Sequence, residues 1–208
     1  MSQYFEIHPD NPQQRLIRSA VEIIRKGGVI VYPTDSCYAL GCHIGDKAAM
    51  ERIRRIRDVD EHHHFTLVCR DLSEVGKFAR VDNLQFKLIK QHTPGSYTFI
   101  LQATGDVPKR LLNPKRSTIG IRVPQNPVAH ALLAELNEPL LSSTLIMPGD
   151  DAPLNDAHEI RERLEHEVDL ILDGGSCGTD MTTVIDLTHA LPVLVRQGKG
   201  DITSFSFE

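Results

Sequence analysis

The stretch Val29 to Gly41, VIVYPTDSCYALG, decides how the chain is read. An apolar run of strand type, VIVY, leads straight into PTD and then through Ser-Cys-Tyr to ALG. Pro and Asp are common turn residues, so an ordinary turn is one reading. The other is a ligand crevice, because polar groups at strand ends line such crevices in α/β folds. The surrounding sequence has to separate the two.

Working outward, Asn11-Pro12 reads as an N-cap with Pro at the first helical position. The helix it opens carries Leu16, Ile17, Ala20, Val21, Ile23 and Ile24 on its apolar side and ends at Gly27-Gly28. Asp46 caps a second helix with a stripe of Met50, Ile53 and Ile56. Strand-like runs follow at 65–69, 97–102, 118–123, 140–144, 169–172, 183–187 and 193–196. Helical patterns lie among them at 71–78, 82–91, 127–136 and 156–167. Helices interleaved with apolar strands predict an α/β, or closely mixed α+β, domain around one large sheet. No repeat, low-complexity tract or long linker divides residues 1–208, and 146–157 reads as a loop. One domain is expected.

Hydrophobic residues make up 40% of the 208 and charged residues 25%, enough for a substantial core. No apolar run is long enough for a membrane helix. The opening MSQYFEIHPDNPQQ lacks the basic start and apolar segment of a secretion signal, so a cytoplasmic location is expected. Cys37, Cys42, Cys69 and Cys177 form no CxxC pair, and reduced thiols are expected. The net charge is −5 but unevenly spread. Residues 1–122 hold 19 Lys/Arg against 13 Asp/Glu, whereas 123–208 hold 4 against 15. A basic face on an acidic protein is possible, unless the halves interleave and the field averages out.

The P-loop, GxGxxG and HExxH patterns are absent. Five weaker constellations remain. ERIRRIRD crowds Arg52, Arg54, Arg55 and Arg57 at one helix end, which suits either phosphate oxygens or the helix dipole. EHHHF (61–65) reads as a polar loop rather than a metal site, because adjacent side chains diverge. In TIGIRVPQNP, Arg122 sits inside an apolar strand, so it either forms a structural ion pair or holds a substrate carboxylate. PLLSSTLIMPG places Ser142, Ser143 and Thr144 at a strand end. TTVIDL and VRQG do the same for Thr182, Thr183 and Arg196. The recurrence suggests a polar cavity lined by strand termini.

These stretches resemble the YrdC/TsaC-type family of threonylcarbamoyl-AMP synthases over about residues 13–200. The family's YPT[ED]TVYGLG resembles YPTDSCYALG, and its PGPVTFVL resembles PGSYTFIL. The pairs VRVPxHP and IRVPQNP, PLxSTSAN and PLLSSTLI, STVVDL and TTVIDL, and LRPG and VRQG follow in order. The resemblance implies a YrdC-like twisted mixed sheet with flanking helices around a deep cavity. It also implies a reaction. Threonine and bicarbonate give a carbamate, which attacks the α-phosphorus of ATP. The products are threonylcarbamoyl-AMP, used for threonylcarbamoyladenosine modification of tRNA, and pyrophosphate. Positioning and charge neutralisation by cations and Mg²⁺ would carry such a step, without a nucleophilic side chain. Under the resemblance, Thr34 and Tyr38 border the threonine site and Arg122 holds its carboxylate. Arg57, Ser142, Thr144, Thr182, Thr183 and Arg196 line the ATP/AMP site.

The departures fall on the family's Lys-x-Arg and Ser-x-Asn signature. Arg57 stands at the Lys, Val59 at the Arg, Thr144 at the Ser and Ile146 at the Asn. HPDNPQQRLI, KGGVIVYPTDS and FTLVCRDLSE are similar to the YciO branch of the family. A nucleotide-binding protein with weak or altered synthase activity is therefore expected. The alternative is a non-catalytic binder of double-stranded RNA, tRNA or rRNA. It would use a basic rim of Arg52, Arg54, Arg55, Lys109, Arg110, Lys115 and Arg116 to meet phosphates and 2′-hydroxyls.

Overall fold

Period-two burial organises the central strands. Ile30 and Tyr32 enter one apolar cluster while Val31, between them, enters another. Leu170 and Leu172 repeat this against Ile171. Strands buried on both faces need helices on both sides, and the sequence supplies them. The computed structural model describes residues 1–61 and 63–207.

In chain order the strands are β1 (Gln3–Glu6), β2 (Ile30–Tyr32), β3 (Ala39–His43), β4 (Thr66–Val68), β5 (Ala79–Arg80), β6 (Tyr97–Ala103), β7 (Thr118–Arg122), β8 (Leu140–Thr144), β9 (Leu170–Asp173), β10 (Thr183–Asp186) and β11 (Val193–Arg196). The helices are α1 (Gln14–Arg25), α2 (Lys47–Arg57), α3 (Leu72–Phe78), α4 (Asn83–His92), α5 (Pro127–Leu136) and α6 (Ala157–Leu164). The sheet order is β1-β9-β2-β3-β8-β4-β7-β6-β10-β11, with β5 added to β6. Parallel pairs such as β4–β7 and β6–β10 mix with antiparallel ones such as β2–β3 and β6–β7. The expected mixed sheet with flanking helices is present, and one sheet carries strands from both halves of the chain. Among the described residues, no helix is long and apolar enough to cross a membrane.

α1 and α5 pack together on one face, burying Ile17, Ala20, Val21 and Ile24 against Val128, Leu132, Leu133 and Leu136. α2 buries Met50, Ile53 and Ile56 in the other cluster. The caps match the sequence closely. Asp46 accepts from Ala49 N–H, and Asn126 accepts from Ala129 N–H with Pro127 behind it. Asp82 and Gln85 form a reciprocal capping box.

Four expectations need correction. Helix α1 starts at Gln14, after an N-cap Gln13 that makes no side-chain cap bond, rather than at Asn11-Pro12. The Gln13 side chain instead accepts from His8 N–H. β1 and the two-residue β5 were not expected. Neither was β3, because ALGCH is short and lacks β-branched residues. β3 forms because β2 and β8 supply backbone partners on both edges. The polar segment of the opening stretch is therefore a connection between two antiparallel strands.

Leu170 is fully buried, and its backbone is in register with Gln3 on one side and Ile30 on the other. Leu170→Ala is expected to lower unfolding free energy by about 2–5 kcal/mol in urea denaturation, from lost burial plus the cavity left behind.

Candidate functional site

The β2–β3 connection builds the first wall of the site. Thr34 Oγ1 accepts from Ser36 N–H (3.1 Å) and Cys37 N–H (3.2 Å) and donates to the Cys37 carbonyl (2.6 Å). This hydroxyl-closed turn holds Asp35 against Arg122, which comes from the end of β7. Arg122 Nη2 donates to Asp35, and Nη1 donates to Ser36 Oγ at 3.3 Å. Ser96 Oγ donates to the second Asp35 oxygen at 2.8 Å. The pair is nearly sealed, with side chains 9% and 10% exposed. Arg122 Nε is buried without a hydrogen-bond partner. Both readings of Arg122 thus have a physical basis: it forms a structural ion pair, and it keeps a donor unused beside a cavity.

That cavity holds about 690 Å³, within the usual range for small-molecule sites. Arg57 closes α2 and enters the wall. Ser142, Ser143 and Thr144 enter from β8, Thr182 from the start of β10 and Arg196 from β11. Cys37, Thr98, Asp186, His63 and Ile146 complete much of the lining. Cys37 is buried, and burial pushes its thiol up, opposed by the Ser36 hydroxyl and by the Arg122 and Arg196 charges. Arg57, Arg122 and Arg196 all lie in the lining of this cavity. The VRQG turn closes the β11 side: a Cβ on Gly198 would overlap the Met181 carbonyl and the Thr182 backbone.

Arg57, Arg122, Ser142, Thr144, Thr182 and Arg196 therefore line one cavity, as their strand-end positions suggested. Three other expected residues do not line it. Thr34 is spent on the turn. Tyr38 donates to the Gly175 carbonyl at 2.6 Å. Thr183 donates to the Gly200 carbonyl at 2.7 Å and accepts from Gly198 N–H, pinning the C-terminal segment. Ile146 lines the cavity. Val59 does not, and its N–H bonds the Arg54 carbonyl at the end of α2.

The basic residues are divided among separate places, since residues 52, 54, 55 and 57 point in different directions around a helix. Arg52 pairs with Asp169. Arg54 bonds Glu51 and lies over the Phe65 ring. Arg55 is exposed, as is Lys109. Arg54, Arg110 and Lys115 border a smaller groove of about 290 Å³. Arg110 also donates to the Ile44 and Gly45 carbonyls. Arg116 reaches the main cavity and pairs with buried Asp186 at 3.2 Å.

Sequence reasoning passed over several residues of the site and its support. Asp35, the partner of Arg122 behind the cavity lining, was legible in principle, because a strand-borne arginine needs an anionic partner. The histidine run was read as a polar loop, yet His63 and His64 line the cavity. His62 lies outside the described residues. Among the described residues, no cluster of three or more His, Cys, Asp or Glu side chains suits a metal ion. His63 Nε2 lies 3.0 Å from Ser143 Oγ, which also accepts from Arg57 Nη1 at 2.6 Å. Burial, then the neighbouring Arg57 charge, lowers the His63 pKa to about 4.

Two measurements check this geometry. Arg122→Ala strands Asp35 and is expected to cost roughly 3 kcal/mol of stability in urea denaturation. Asp35→Asn in the same chain is expected to restore part of that loss. For His63, the unfolded chain takes up the proton near its ordinary 6.5 and the folded chain only near 4. Its contribution is therefore intact above about pH 6.5 and is lost as pH falls toward 4. A pH series of denaturation curves with His63→Gln should show a shallower loss across that window.

A family model described as "Telomere recombination", covering the Sua5, YciO and YrdC proteins, matches residues 22–198. YciO of Escherichia coli K12 is 62% identical over 205 residues, covering 99% of this chain and all of that one. Its crystal structure superposes with a TM-score of 0.96. A threonylcarbamoyl-AMP synthase of Nitrosococcus oceani is 33% identical over 159 residues, covering 76% of this chain and 85% of the relative. The crystal structure of Pyrococcus abyssi Sua5 complexed with L-threonine has a TM-score of 0.87 at 25% identity, covering 95% of this chain and 58% of that one. The chain therefore belongs to the Sua5/YciO/YrdC family.

Proposed function

We propose that the cavity binds an adenine nucleotide, ATP with Mg²⁺ or AMP, and that the protein is a weak or altered threonylcarbamoyl-AMP synthase. The observation that carries this reading is that Arg57, Arg122 and Arg196 all line one hydroxyl-lined cavity. Guanidinium forks match phosphate and carboxylate oxygens. Ser142, Thr144 and Thr182 offer hydroxyls along the same wall, and apolar Ile100, Ile119 and Val184 suit the flat faces of a base.

L-threonine and bicarbonate are the proposed co-substrates, supported by the distant synthase relatives and by the threonine-bound Sua5 structure. Arg122, a cation in the cavity lining, suits the amino-acid carboxylate. Mg²⁺ would arrive on the nucleotide phosphates, which is its usual mode of binding. Among the described residues, the one lining carboxylate, Asp186, is already engaged with Arg116. The ion would neutralise phosphate charge, while this chain's arginines position the α-phosphate and the carbamate.

Activity is expected to be low because Ile146 offers no polar group and Val59 no charge where active synthases place Asn and Arg. Loss of one such donor in an enclosed site costs about 3–4 kcal/mol of transition-state stabilisation. The test is formation of threonylcarbamoyl-AMP and pyrophosphate from ATP, L-threonine, bicarbonate and Mg²⁺, read by mass spectrometry. Slow, threonine-dependent product is expected, with Val59→Arg plus Ile146→Asn raising its rate at least about tenfold. No product, together with no calorimetric binding of millimolar ATP or AMP, overturns the reading.

A further inference from the structure

The histidine run supplies a residue that the synthase chemistry does not use. His63 and Ser143 meet on the cavity wall with Nε2 and Oγ 3.0 Å apart. Arg57 donates to the same Oγ at 2.6 Å. The arginine must be the donor, so it occupies a lone pair of the hydroxyl. The hydroxyl proton then has a ready acceptor in a neutral His63. A hydroxyl with a base on its proton and a cation on its oxygen is the arrangement of an activated nucleophile. Ser143 is on β8 and Arg57 ends α2, so two of the three groups sit on regular elements.

The cations of the cavity indicate which substrate such a nucleophile would meet. Arg122 is neutralised by Asp35, and Arg116 by Asp186. Arg57 and Arg196 remain, with the buried, unpartnered Nε of Arg122. That set suits a single phosphate and an acyl oxygen better than the four negative charges of a free triphosphate. Ile146 lies beside the hydroxyls and adds no polar support for a departing pyrophosphate.

Resting on the nucleotide-binding reading above, we propose that Ser143 and His63 form a catalytic pair that hydrolyses acyl adenylates, the mixed anhydrides of a carboxylic or carbamic acid with AMP. Ser143 Oγ attacks the acyl carbon and its proton passes to His63. The bond from the acyl carbon to the bridging oxygen breaks, and AMP leaves with the electron pair and takes the proton from His63. Neutral His63 then accepts a proton from the water that attacks the acyl-serine. The acid is released as the Ser143 oxygen regains a proton from His63. The net reaction is acyl-AMP plus water to acid plus AMP, with no redox change. Burial is the larger reason that protonated His63 is disfavoured, and a phosphate seated on Arg57 offsets the second, the Arg57 charge.

The test uses the full-length protein and acetyl-AMP. AMP release is followed chromatographically, and acid-quenched protein is searched for an acetyl group on Ser143. Wild-type protein is expected to release AMP well above the buffer rate. Ser143→Ala and His63→Gln are expected to reduce that rate by at least about a hundredfold while still binding AMP in calorimetry. Covalent labelling of wild-type Ser143 by a fluorophosphonate gives a readout that needs no variant to fold. The proposal is overturned if wild-type protein binds AMP yet does not accelerate acetyl-AMP hydrolysis. It is also overturned if a folded, AMP-binding Ser143→Ala variant matches wild type. If AMP does not bind and acetyl-AMP is untouched, this proposal and the nucleotide reading fall together.

Discussion

The ion pair between Arg122 and Asp35 joins the end of β7 to the turn between β2 and β3, segments far apart in sequence. Two charges that are nine-tenths buried are tolerable only if each finds the other and the remaining polar atoms find partners. Ser36 and Ser96 supply those partners. The consequence spreads outward. The Thr34 turn has to hold Asp35 in place, β3 has to run back beside β2, and Cys37 is carried into the cavity wall. The position of the site thus follows from satisfying one buried arginine, and Arg57, Arg196 and the lining hydroxyls are what the cavity can offer a ligand.

Much of the fold was legible because its signals are local. Asp46, Asp82 and Asn126 cap the helices they were expected to begin, and most strands lie within a residue or two of their apolar runs. β1, β3 and the two-residue β5 were not legible. QYFE and AR are very short and ALGCH carries weak strand propensity, and all three are strands because a neighbour supplies the ladder. The missing side-chain cap on α1 has a similar cause, since Gln13 bonds His8 and not its own helix.

The site divides in the same way. Arg57, Ser142, Thr144, Thr182 and Arg196 could be grouped because strand and helix ends that meet a cavity carry polar residues. Thr34, Tyr38 and Thr183 look the same in sequence. Their hydroxyls are taken by backbone atoms, and which hydroxyl is taken depends on long-range packing. His63 shows the converse. Adjacency in the run hid it, because one histidine was enough once Ser143 and Arg57 stood opposite. The basic residues gave a misleading impression of unity, because helical geometry and partners such as Asp169 and Asp186 separate them.

Where an anion sits in this cavity is decided most directly by a crystal structure of the protein grown with AMP. The phosphate is expected among Arg57, Arg122 and Arg196, with the base toward Ile119 and Val184. An AMP phosphate held elsewhere, in the groove of Arg54, Arg110 and Lys115 for example, with the three-arginine region filled only by water, would contradict this placement.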